Sequence, residues 1–235
     1  MRSKFEIKRY QNDNSFSETF EVAKRVSTLL EALFEIRENL DSSLAFESNC
    51  RSGVCGACAV IVDGKERLAC NFRIEESKKY QISPLKYYKV QKDLIVDKKS
   101  IKDNTLKASK AFLNSYHEVI LDSKDEAKNR IQSDCILCGS CFSSCPVLEV
   151  NSSFKGPFAL SRAYRYLIDP RESSNKSIDA IQSSGVWDCT LCGECTAVCP
   201  QGIDPKSDIL NLRAKSVQAG YQDPNFSSFD FGLSF

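Results

Sequence analysis

The chain has 235 residues, of which twelve are cysteine and one is histidine; 32 basic and 31 acidic side chains leave a net charge of +1, and 42% of residues are hydrophobic. Cysteine at about 5% falls short of the ~8–10% of short secreted disulfide scaffolds, so an ordinary core can carry the fold. The balanced charge excludes a global field for nucleic acid or an anionic membrane, and lone His117 excludes Rieske centres and most zinc hydrolases, leaving thiolate as the vehicle for any metal chemistry.

Met1 to Tyr10 is a charged alternating run without an apolar h-region, and no stretch of 18 apolar residues occurs. The expectation is a soluble chain with no export signal of its own, its cysteines in a reducing compartment that favours metal ligation over disulfides. Phe5 to Tyr10 and the stretch around Phe16 and Phe20 alternate with period two and predict two opening strands. Thr28 and Glu31 form a capping box, and Leu29, Leu30, Leu33, Ile36 and Leu40 give the helix behind it an apolar face. Ala59 to Val62 predicts a strand, and Asp63-Gly64 a hairpin that returns the chain through Leu68 to Cys70.

The first cysteine block embraces that hairpin. Cys50-x4-Cys55-x2-Cys58 with distal Cys70 is the plant-type spacing for a [2Fe–2S] cluster. Gly53 and Gly56 allow three thiols on one tight loop, and Arg51 brings positive charge beside an anionic cluster. A zinc site is the alternative, since Cys55-x2-Cys58 is also a zinc spacing, but zinc ribbons use two short knuckles rather than three ligands on one loop. A lysine-rich polar run from Lys86 to Lys110 follows. Helix-compatible sequence comes next, through Ala111, Phe112, Val119 and Ile120. The domain boundary is placed near residue 106, giving units of 1–106 and 107–235.

The second unit contains an internal repeat. Cys135-Ile-Leu-Cys-Gly-Ser-Cys-Phe-Ser-Ser-Cys-Pro146 recurs 54 residues later as Cys189-Thr-Leu-Cys-Gly-Glu-Cys-Thr-Ala-Val-Cys-Pro200, with seven of twelve positions identical. Both copies follow the bacterial ferredoxin spacing, in which the fourth cysteine ligates the other cluster. One [4Fe–4S] cluster is therefore expected on Cys135, Cys138, Cys141 and Cys199, and the other on Cys189, Cys192, Cys195 and Cys145. Phe158, Leu160, Tyr164, Leu167 and Ile168, flanked by Pro157 and Pro170, predict a helix between the copies and a mostly helical unit. From Tyr221 the sequence reads as a tail rich in Phe, Ser and Asp.

Three clusters imply electron transport rather than a reaction at a substrate. No nucleophile–histidine–acid set is available beyond His117, which reads as a surface or satisfied core histidine, and no dinucleotide or phosphate-loop signature occurs. Hydride or quinone chemistry is expected on partners.

The sequence resembles the iron–sulfur subunits of the succinate dehydrogenase and fumarate reductase family. Four segments carry the likeness: Cys50 to Cys58 with Cys70, the phrase Lys92-Asp-Leu-Ile-Val-Asp97, the two ferredoxin blocks, and Gly156 to Tyr166 with Asp169. The resemblance implies an α+β chain, with a plant-type [2Fe–2S] ferredoxin (β-grasp) domain followed by an all-α bacterial-type dicluster ferredoxin domain. It also implies a FAD-containing partner that interconverts succinate and fumarate and a membrane-associated partner that handles quinone. The subunit would then be peripheral, on the cytoplasmic face of the inner membrane, or periplasmic if exported with a partner.

The sequence also departs from the usual pattern. Most members carry a non-cysteine residue where this chain has Cys192, and hold a [3Fe–4S] cluster there; a second [4Fe–4S] cluster is expected here, with one iron that oxidation could remove. The usual tryptophan after the proline matching Pro146 is replaced by Val147-Leu148-Glu149-Val150, and the usual histidine by Thr190. These departures suggest an atypical member whose third partner is a cysteine-rich protein, resembling heterodisulfide reductase subunits, in place of a helical haem anchor. Phe226, Phe229, Phe231 and Phe235 are candidates to dock on the electron-accepting partner or to fold on the subunit's own core. An iron–sulfur subunit of another flavin-dependent dehydrogenase, and a zinc-binding scaffold, are the competing readings.

Overall fold

The computed structural model describes residues 2–109, 120–172 and 176–224. His117, Ala111, Phe112, Val119 and the four tail phenylalanines lie outside the described residues.

β1 (Ser3–Gln11) and β2 (Asn14–Val22) pair antiparallel along their whole length, from Ser3↔Val22 to Gln11↔Asn14. The turn is Asn12-Asp13, both at positive φ (50° and 61°), whose twist matches that of the strands. The period-two pattern proves right for β1, where Phe5 and Ile7 are fully buried, but only half right for β2: Phe20 is buried while Phe16 is 46% exposed.

α1 (Leu29–Asn39) starts as expected. The Thr28 hydroxyl accepts from the Glu31 N–H (3.2 Å), while the Glu31 carboxylate takes the N–H of Ser27 (2.7 Å). Leu29, Leu30, Leu33 and Ile36 are buried, whereas Leu40 is 53% exposed because the helix ends at Asn39 and Leu40 is its C-cap.

β3 (Ala59–Val62) and β4 (Lys65–Leu68) form the expected hairpin over Asp63-Gly64, and β5 (Lys79–Ser83) enters between β1 and β3. β5 runs parallel to β1 (Lys4↔Lys79 to Ile7↔Ile82), giving the order β2–β1–β5–β3–β4. With α1 packed across this sheet, the unit is the expected β-grasp. Sequence reading missed β5, although Tyr80 and Ile82 are buried and Lys79 and Gln81 exposed in strict alternation.

Part of the lysine-rich run is also structured. It contributes a small hairpin, β6 (Lys89–Lys92) and β7 (Ile95–Asp97), and α2 (Lys99–Ala108), anchored by buried Ile101 and Ala108. Residue 106 falls within α2.

The second unit is built on helices: α3 (Ser123–Ser133), α4 (Ser140–Ser143), α5 (Val147–Val150), α6 (Pro157–Leu167), α7 (Lys176–Ala180), α8 (Glu194–Ala197) and α9 (Pro205–Gln218). α6 is the predicted helix, with Pro157 in its first turn, and it packs against α2, α3 and α9. α2 thus belongs to the packing of the second unit.

The two units share a buried seam. The Ser143 hydroxyl donates to Glu66 of β4 (2.8 Å) and accepts from the Lys86 N–H (2.9 Å), and Tyr88 donates to the Gly139 carbonyl (3.3 Å). The Tyr88, Phe142 and Phe158 rings follow one another at 5.1 and 5.6 Å.

Candidate metal centres

The first thiol block hangs from a buried ion cluster. Arg9, 1% exposed, binds Asp93 (3.0 Å), Asp41 (2.5 Å), Glu18 (2.6 Å) and Ser43 (2.9 Å), and Asp93 also accepts from the Tyr10 and Ala45 N–H groups. This fixes the segment between α1 and Cys50 against the sheet, with Leu44 and Phe46 buried beneath it. Arg51, Gly53 and Gly56 then take positive φ (58°, 80° and 71°) and curl the loop. The Ser52 N–H points at the Cys50 sulfur (3.4 Å). β3 and β4 carry Cys70 back, and its N–H meets the Cys58 sulfur at 3.5 Å. All four expected residues are thereby brought together.

Their environments differ. The Ser52 N–H, then the Cys55 thiol and the Val54 N–H, draw the Cys50 pKa down to about 6, whereas burial pushes Cys58 up to about 12.

The two later blocks have the same backbone. Leu137 and Gly139 take φ of 51° and 89°, and Leu191 and Gly193 take 57° and 90°. Each glycine caps the single-turn helix, α4 or α8, that carries the third cysteine. The sequence repeat is thus a repeat of conformation, and Gly recurs because a left-handed residue must open each turn.

A small cavity of about 30 Å³ is lined by Cys135, Cys138, Cys141 and Cys199, with Phe158 and Ile203 among its apolar walls. Burial lifts Cys141 well above its ordinary value, and Cys138, Cys135, Cys195 and Cys199 add to the rise. The remaining four thiols form a second neighbourhood. Burial pushes Cys145 up to about 11, reinforced by Cys189 and Cys192, and Cys195 up to about 12, reinforced by Cys189, Cys145 and Cys192. Each fourth cysteine therefore faces the other copy's block. Cys192 alone of the twelve is exposed.

Among the described residues no three His, Cys, Asp or Glu side chains converge where a single metal ion would sit. Four soft donors around an apolar cavity suit a polynuclear cluster, in which the thiolates are divided among several irons. Loading such sites must expel protons from the burial-raised thiols.

The three neighbourhoods touch in series. A Cβ on Gly56 would stand 2.7 Å from the Cys138 Cβ, so the first loop lies against the second block, and Gln201 donates to the Gly53 carbonyl (3.1 Å). α4, which carries Cys141, in turn packs on α8, which carries Cys195 of the third group.

Sequence reading missed the residues that hold these loops. Arg213 of α9 grips the carbonyls of Val186 (2.8 Å), Trp187 (3.2 Å) and Cys189 (2.5 Å), and Lys98 donates to those of Gly56 and Ala57. Both contacts are long-range and leave no local pattern. Around the third group, Thr190 and Cys192 are exposed, as is Val150, while Val147 and Leu148 are buried.

Residues 4–103 match the family of 2Fe-2S iron-sulfur cluster binding domains, and residues 131–203 the 4Fe-4S dicluster domains. The 8-methylmenaquinol:fumarate reductase iron-sulfur subunit of Wolinella succinogenes is 33% identical over 92% of this chain and 73% of that protein. An uncharacterised iron-sulfur protein of Methanocaldococcus jannaschii is 34% identical over 94% of this chain, which spans only 45% of that relative's length. A chain of the Mycobacterium smegmatis Sdh1 complex has the same fold, with a TM-score of 0.87, 20% identity and coverage of 94% of this chain and 98% of that one.

Proposed function

The chain belongs to the iron–sulfur subunit family of succinate dehydrogenase and fumarate reductase, and from that premise we propose that it relays single electrons between a FAD-containing subunit acting on succinate or fumarate and a membrane-associated quinone-reacting subunit. The observation that carries the reading is the contact series: three groups of four thiols, the first backed onto the second at Gly56 and Cys138, the second reaching the third where α4, which carries Cys141, packs on α8, which carries Cys195.

In this reading Cys50, Cys55, Cys58 and Cys70 hold a [2Fe–2S] cluster. Cys135, Cys138, Cys141 and Cys199 hold one [4Fe–4S] cluster, and Cys145, Cys189, Cys192 and Cys195 the other. The clusters, when bound, supply one-electron redox chemistry whose potential follows hydrogen bonding and exposure. The protein's part is to hold, order and insulate. Arg9 and Arg213 fix the loops that deliver Cys50 and Cys189, and Phe158 and Ile203 keep water from the second site. The division into units 1–106 and 107–235 separates the β-grasp site from the paired sites.

No described helix is long and apolar enough to cross a membrane. In this reading membrane association comes through partners, and the subunit lies on the cytoplasmic face. Exposed Thr190 and Cys192 support an edge-on approach to the third site by a cysteine-rich partner. The quinol named for the Wolinella relative supports quinone linkage.

Metal and sulfide analysis of the anaerobically purified holoprotein tests the reading: about ten irons per chain are expected from the ligand sets, with three distinct EPR signals on reduction. A colourless protein containing zinc overturns it. Co-purification with a flavoprotein inactive toward both succinate and fumarate overturns the assignment of substrate while leaving the relay intact.

A further inference from the structure

Lys98 stands at the junction between the two units, as the N-cap of α2. Its ammonium turns back to the first thiol loop and donates to the carbonyls of Gly56 and Ala57, both at 3.3 Å, with the Glu47 carboxylate 3.6 Å away. The Lys98 side chain is 21% exposed and that of Glu47 43%. The two carbonyls belong to the peptide planes that carry the Ala57 and Cys58 N–H groups. One cation thus fixes the orientation of two of the three peptides between Cys55 and Cys58. The same stretch packs against the second block, where a Cβ on Gly56 would stand 2.7 Å from the Cys138 Cβ.

We propose that Lys98 is a positioning residue for the first cluster site: it holds the Gly56–Cys58 peptides in place and supplies positive charge that favours the reduced state of that centre. The proposal rests on the cluster reading above. Reduction adds negative charge, so a cation held beside the loop with little access to water stabilises the reduced form, and Glu47 partly offsets it. Arg51, on the same loop, has its guanidinium over the Phe34 ring, 4.8 Å from the centroid, and is itself exposed. Lys98 is therefore the cation engaged with the loop backbone on the side of the second unit.

The full chain with its clusters, as wild type, Lys98→Gln, Lys98→Arg and Glu47→Gln, is titrated potentiometrically with EPR detection of each centre. In Lys98→Gln the reduced-to-oxidised ratio of the [2Fe–2S] centre at a fixed potential is expected to fall about tenfold, which is ~59 mV for a one-electron couple. The third centre should be unchanged, and Lys98→Arg should restore most of the ratio. Glu47→Gln, a surface change that spares Lys98, is expected to raise the ratio. An unchanged [2Fe–2S] ratio in Lys98→Gln overturns the proposal, as does an equal shift at the third centre or a fall in Glu47→Gln. A wild-type holoprotein without any [2Fe–2S] signal overturns the cluster reading itself, which keeps the two failures apart.

Discussion

The N-terminal thiol group closes on itself, whereas the two C-terminal groups are interlocked. Cys50, Cys55, Cys58 and Cys70 sit on one loop and the hairpin that follows it, supported from outside by Arg9 and Lys98. In the second unit, the cavity begun by Cys135 is completed only by Cys199, and Cys145 faces the block that begins at Cys189. The first arrangement needs a sheet to present it. The second is its own scaffold, because a metal clip between distant parts of a chain constrains the unfolded state more than one closing a short loop.

The sharpest way to break this contrast is to remove one shared thiol. Cys199→Ala is expected to empty the second site and loosen the third, costing up to about eight of the ten irons, whereas Cys70→Ala should cost about two. Iron analysis of the two purified variants decides it, and equal losses would mean that the C-terminal sites are as independent as the first.

Next in size is the external support of the first site. Arg9→Met leaves the fully buried Asp93 carboxylate without its cation, an expected loss of about 3–5 kcal/mol in denaturant unfolding. The same cluster shapes the acid limb. Hydrogen bonds from Arg9 and Ser43 lower the Asp41 pKa to about 2. Its stabilising effect is complete above the unfolded value of ~3.9 and is lost as pH falls through 2. Asp41→Asn should flatten the stability profile between those limits, and an unchanged slope would remove Asp41 from the account.

A smaller effect tests the seam. Gly56→Ala places a Cβ 2.7 Å from the Cys138 Cβ and 2.8 Å from its Cα at a φ of +71°, for an expected cost of about 1–3 kcal/mol. Gly53→Ala, at φ +80° with open space around it, should cost only about 1 kcal/mol. Thermal unfolding of the pair separates crowding from backbone strain. Smallest of all, Cys192→Ser should leave the fold intact and remove about one iron, converting the exposed third site to a [3Fe–4S] centre visible by EPR in the oxidised protein.

How much of this was legible in the sequence follows from how local each cause is. The capping box at Thr28, the Asp63-Gly64 hairpin, the Pro157 helix start and the cysteine spacings are short-range devices, and the structure carries each of them. β5 carried its own alternation but is short and framed by polar residues, and its parallel pairing with β1 depends on the crossover between them. α2 was hidden by lysines, since among its described side chains only Ile101 and Ala108 are buried. Leu40 misled because helix periodicity does not say where a helix stops. Arg9, Lys98, Arg213 and the Glu66–Ser143 bond act between residues far apart in the chain, where a single sequence gives no signal.

The closure of the Cys135 cavity by Cys199 also sets an order in time. Domains fold from the N-terminus as the chain emerges during synthesis. The first thiol group is complete once residue 70 is available. The second stays one donor short until almost the whole helical unit has left the ribosome. Iron can therefore enter the β-grasp site while translation continues, whereas the paired sites gain their last donors late, the third at Cys195 and the second only at Cys199, so a chain stalled before Cys189 would hold one complete donor set and four waiting thiols.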